Sequence, residues 1–104
     1  MRAKDLLKLI PPSIRITKDA TYEILWVDEF FKDSKQLGEC TPDPRQIKIK
    51  KNESPTETFQ TFIHEVIHAM SLESEGMDLT ERQVQKLERA MFKVLKLNGI
   101  LDKL

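Results

Sequence analysis

At 104 residues, with 39% apolar and 33% charged side chains, the chain has the size of one hydrophobic core, and its net charge is too low for disorder. Seventeen basic residues balance seventeen acidic ones, so no bulk field calls for a nucleic-acid or anionic-membrane partner. The one cysteine, Cys40, excludes an internal disulfide and a multi-cysteine zinc ribbon, and reads as a small buried hydrophobe in a reducing compartment.

Residues 2–10 carry Arg2, Lys4, Asp5 and Lys8, which break any run like the core of a signal peptide. Leu6, Leu7, Leu9 and Ile10 instead suggest a short amphipathic helix closed by Pro11-Pro12. No later stretch is apolar over the length needed to cross a bilayer, so the expected location is cytoplasmic and the whole of 1–104 is expected to be one domain. Ile14 and Ile16 alternate with Arg15 and Thr17 as in a half-buried strand, and Lys18-Asp19-Ala20 forms the turn. Residues 22–31, with Tyr22, Ile24, Leu25, Trp26, Val27, Phe30 and Phe31, predict a second, largely buried strand. Residues 33–38 are a polar connection. A hairpin follows: a short strand from Gly38 through Cys40, a turn at Thr41-Pro42-Asp43-Pro44, and a strand over 46–50, where Ile47 and Ile49 alternate with lysines that suit a sheet edge.

Ser54 is a candidate N-cap, followed by Pro55 at the favoured first helical position and by Glu57 three residues after the cap. A helix should run from 55 to about 73–75 and close near Gly76. Thr80 and Gln83 form a capping box that opens a second helix to Asn98-Gly99. The expected fold class is therefore α+β: a small twisted sheet with an edge strand, followed by an antiparallel αα-hairpin.

On the first helix, Phe59, Phe62, Ile63, Val66, Ala69 and Met70 share one side, whereas His64 and His68 point roughly the opposite way. Two imidazoles four residues apart can share one metal ion. Within His64-Glu65-Val66-Ile67-His68, this spacing gives two neutral histidines as zinc ligands and leaves Glu65 to take a proton from an activated water and pass it to a leaving amine. These are the only two histidines; a random placement would give this arrangement on the order of once in 500 chains.

A catalytic zinc site has three protein ligands. The glycine and third histidine of the extended metzincin motif are missing after Met70-Ser71-Leu72, so the third ligand must be acidic, and the second helix offers Glu81 and Glu88. In a strict antiparallel hairpin Glu88 lies level with the histidines, while Glu81 falls some 10 Å short. Glu88 also stands at the edge of an apolar stripe of Val84, Leu87, Met91, Val94 and Leu95, where a carboxylate is costly unless bound. Glu88 is favoured and Glu81 is the alternative, which an early helix end or a steep crossing would bring into place.

With two motif histidines and a glutamate from a following helix, residues 38–98 resemble the gluzincin branch of zinc metallopeptidases, in particular its minimal soluble members, the minigluzincins, and small phage-type metallopeptidases. The resemblance implies a minimal zincin-like domain, Zn2+ held by His64, His68 and Glu88, catalysis by Glu65, and a peptide or protein substrate. It also implies that the strand before the active-site helix, residues 46–50, pairs with that substrate. The tyrosine or histidine that stabilises an oxyanion in larger relatives has no counterpart, because Tyr22 is the only tyrosine; Arg82, Arg89 or zinc alone would have to serve. A non-catalytic, zinc-binding scaffold or latent regulator is the alternative function. Residues 2–10 and 100–104 are amphipathic enough for self-association or for cover over the core.

Overall fold

The computed structural model describes residues 7–31 and 35–99, and these form an α+β fold with a four-stranded mixed sheet and two helices. The strands are β1 (Ser13–Thr17), β2 (Ala20–Val27), β3 (Gly38–Pro42) and β4 (Arg45–Lys50), followed by helices α1 (Pro55–Glu73) and α2 (Glu81–Leu97). Of the expected N-terminal helix, residues 7–9 form a single 3-10 turn, and 1–6 lie outside the described residues, as do the 100–104 tail and part of the 33–38 connection.

The sheet order is β1-β2-β4-β3, with β2 and β4 parallel and the other pairs antiparallel. This corrects the edge-strand expectation. The 46–50 segment lies inside the sheet, with Leu25 and Glu39 flanking Lys48 in register, and the edges are β1 and β3. The alternating lysines mark the open face of an interior strand: Ile47 and Ile49 are fully buried while Lys48 and Lys50 are half-buried. β2 also ends earlier than expected, at Val27, and buries every second residue, Ala20, Tyr22 and Ile24, leaving Trp26 and Phe31 exposed.

α1 lies across the covered face of this sheet, against β3, β4 and β1. Ser54 accepts from the Glu57 amide at 3.2 Å and Pro55 begins the helix, so its start is the expected one. It ends at Ser74, with Gly76 (φ 82°) used in the turn beyond. Phe59, Phe62, Ile63, Ile67 and Ala69 join Tyr22, Ile24, Ile47 and Ile49 in one core, at about 1.5–3 kcal/mol for each large side chain buried. Tyr22 donates to Glu73 at 2.6 Å, and Arg45 grips both oxygens of the same carboxylate at 3.0 and 3.2 Å, which ties the last turn of α1 to β2 and β4.

α2 has the capping box complete, with Thr80 accepting from the Gln83 amide and the Gln83 side chain accepting from the Thr80 amide. It packs on α1 through Val84, Phe92 and Leu95. The other members of the expected stripe, Leu87, Met91 and Val94, are exposed, because α2 is covered only on its α1 side. Among the described residues no helix is long and apolar enough to cross a membrane.

Candidate metal centre

α1, α2 and β3 enclose a cleft of about 690 Å3. Along its floor α1 presents Gln60, Thr61, His64, Glu65 and His68; residues 35–38 form one wall and Glu81, Gln85 and Glu88 form the other. Both histidines therefore face open space between two secondary-structure elements, as their position opposite the apolar stripe required.

The Nε2 atoms of His64 and His68 are 3.2 Å apart, and each is 2.8 Å from one oxygen of Glu81. His64, His68 and Glu81 thus bring their ligand atoms within 4.8 Å of one another and form a group that can hold a metal ion. A tetrahedral ion with bonds of about 2.0–2.1 Å spaces its donors by roughly 3.3 Å, close to these separations. The protons give a second argument. The facing Nε2 atoms and a carboxylate point at one place, and a cation there satisfies all three groups at once.

Glu88, the favoured third ligand, sits elsewhere on the same histidine, its Oε1 3.0 Å from His64 Nδ1. With a proton on Nδ1 donated to Glu88, the Nε2 lone pair is left free for a metal, which is the usual outer arrangement of a metal-binding histidine. The loop between the helices accounts for the exchange. Ser71 Oγ accepts from the Leu79 amide and donates to the Met77 carbonyl, both at 3.0 Å, so the chain climbs back beside the last turns of α1 before α2 begins. Glu81 consequently starts level with His68, and Glu88, about 10 Å further along α2, reaches the far side of His64.

Glu65 is buried and leans toward the edge strand, so close that a Cβ added at Gly38 would stand 2.8 Å from its Oε2. Burial pushes its carboxyl up to about 7; His64 opposes this, while Glu81 and Glu39 add to it. That is the range suited to a group that takes and returns a proton near neutrality. Cys40, next but one on β3, is pushed up to about 12 by burial and by the carboxylates of Glu65, Glu73 and Glu39.

Neither Arg82 nor Arg89 lines the cleft, and Tyr22 is committed to Glu73 in the core. Of the polar side chains that do line it, Lys35, Gln36, Gln60, Thr61 and Gln85 escaped the sequence reading; the one available signal was that Gln85 falls on the same helical face as Glu81 and Glu88. No family model, curated protein or solved structure matches the chain.

Proposed function

We propose that the protein is a zinc-dependent peptidase of the gluzincin type, with a minimal zincin-like fold, in which His64, His68 and Glu81 hold Zn2+ and Glu65 is the general base. The observation that carries this reading is the convergence of two Nε2 atoms and one carboxylate beside a buried glutamate, in a cleft bordered by the start of an edge strand. Zinc bound there supplies Lewis-acid polarisation of a carbonyl and lowers the pKa of water to about 7. Glu65 accepts a proton from the attacking water and delivers it to the departing amine. Glu88 fixes the His64 tautomer and ring orientation.

Among the described residues the outer edge of β3 pairs with no strand and can accept an extended peptide beyond Gly38, whose carbonyl accepts from Gln36 Nε2 at 2.8 Å; Gly38, without a side chain, lets that edge run close over Glu65. The substrate strand of the resemblance is thus reassigned from residues 46–50 to β3. A second reading, a non-catalytic zinc scaffold, draws support from the cleft lining, where the described residues include no tyrosine, no arginine and no histidine besides the two at the metal centre. Glu65→Gln separates the two. On the peptidase reading it abolishes zinc-dependent peptide hydrolysis while zinc content stays at one ion per chain; a wild-type protein that binds zinc and cleaves no peptide refutes that reading. Absence of stoichiometric zinc refutes both.

A further inference from the structure

A second, smaller cavity of about 280 Å3 adjoins the metal centre, sharing Glu65 and His68 with the cleft. It falls below the range of about 300–1,000 Å3 typical of whole-ligand pockets and has room for one long side chain. We infer, building on the peptidase reading, that this cavity receives a lysine or arginine side chain of the substrate, next to the bond that is cut.

Position is the first reason. A pocket that touches both the general base and a metal ligand can only hold a group a residue or so from the reacting carbonyl. Its walls are the second. Cys40 from β3, Leu72 from α1 and Leu79 from the interhelical loop are apolar and suit a methylene stem, which lysine and arginine bury while the charged head stays in water. Charge is the third. Asp78 also lines the cavity and is exposed, Glu65 lines it as well, and no lysine or arginine is among its lining residues.

Asp78 is held there. The residues on either side of it, Met77 and Leu79, are both bonded through their backbones to Ser71 Oγ at 3.0 Å, so the loop cannot carry the carboxylate away without breaking both bonds. Those bonds also engage the Ser71 hydroxyl as donor and acceptor, and Glu65 and His68 belong to the metal centre, which leaves the Asp78 carboxylate as the remaining polar group to meet a cationic head.

The test uses the full chain carrying Glu65→Gln and loaded with zinc, with a set of fluorescent peptides identical except for Lys, Arg, Leu or Glu at the positions flanking the intended scissile bond. The Lys and Arg peptides should bind about fivefold tighter than the Leu or Glu peptides, the scale of a partly solvated ion pair. Adding Asp78→Asn should level the set, and adding Asp78→Lys should turn the preference toward Glu, with zinc content unchanged. Equal binding of all four peptides, no binding at all, or a Lys/Arg preference that survives Asp78→Lys overturns the inference. Hydrolysis by the chain with Glu65 intact is read separately: selective binding without cleavage sinks the peptidase reading and the placement beside a scissile bond, and leaves standing the pocket's choice of a cationic side chain.

Discussion

Replacing Gly38 with alanine tests how the edge strand is fitted to Glu65. The added Cβ would lie 2.7 Å from Thr61 Cγ2, 2.8 Å from Glu65 Oε2 and 3.0 Å from Glu65 Cγ, where ordinary carbon contacts are about 3.5–4.0 Å. Neither neighbour yields easily, since the Thr61 hydroxyl is bonded to the Glu57 carbonyl at 2.9 Å and Glu65 is only 6% exposed. Overpacking of this kind costs about 1–3 kcal/mol, and the reduced freedom of the unfolded chain returns about 0.4–1 kcal/mol. The net loss of about 1–2 kcal/mol should lower Tm by about 5–15 °C in a chain of this size. Pushing the Glu65 carboxylate aside by a good fraction of an ångström should also slow peptide hydrolysis by about 10- to 100-fold without removing zinc. Thermal melts by circular dichroism, zinc content and initial rates measure all three effects; a variant with wild-type Tm and wild-type rate refutes the packing argument and the place given to Glu65.

The two glutamates of α2 should part company on substitution. Glu81→Gln is expected to weaken zinc binding by two or more orders of magnitude, as loss of a ligand, and Glu88→Gln by about 10- to 100-fold, as loss of the group that orients a ligand; competition titrations with a chelating dye giving the reverse order would return Glu88 to the metal. Glu73 is held below the usual carboxylate range by Arg45 first and Tyr22 second, so its stabilisation is present above the unfolded-state pKa and fades as pH falls through the folded one. Urea midpoints of wild type and Glu73→Gln should accordingly differ more at pH 7 than at pH 3, and an equal gap at both would contradict the linkage. With its thiol pushed up to about 12, Cys40 should alkylate with iodoacetamide at pH 8 slower than a free thiol by a factor on the order of 100 or more; a rate like that of glutathione would show the thiol to be neither buried nor ringed by carboxylates.

Local signals predicted what depended on local chemistry. The caps at Ser54 and Thr80, the β3–β4 hairpin and the two helices needed only neighbouring residues to specify them. So did the histidine pair, because four residues on a helix is a fixed separation. The parallel pairing of β2 with β4 escaped, since lysines alternating with isoleucines look the same on an edge strand as on an interior strand with one open face. The placement of Glu81 beside both Nε2 atoms and of Glu88 beside His64 Nδ1 was not legible for a related reason: the height of α2 is set by Ser71 bonding to residues 77 and 79, a contact between a helix and a loop that no periodicity announces. The exposed half of the α2 stripe likewise follows from what does not cover it, which a helical wheel cannot report.

Val84 is the only residue of α2 that is fully withdrawn from solvent. Such a helix is anchored weakly by hydrocarbon alone, yet it carries Glu81, one of three groups that could hold a metal ion, and Glu88, which sits 3.0 Å from the imidazole of another. Occupancy would then act as a rivet: at free zinc a thousandfold above Kd, mass action adds about 4 kcal/mol to the assembled state, much of it spent on keeping this one rod docked. Chelation should loosen α2 well before it disturbs the sheet.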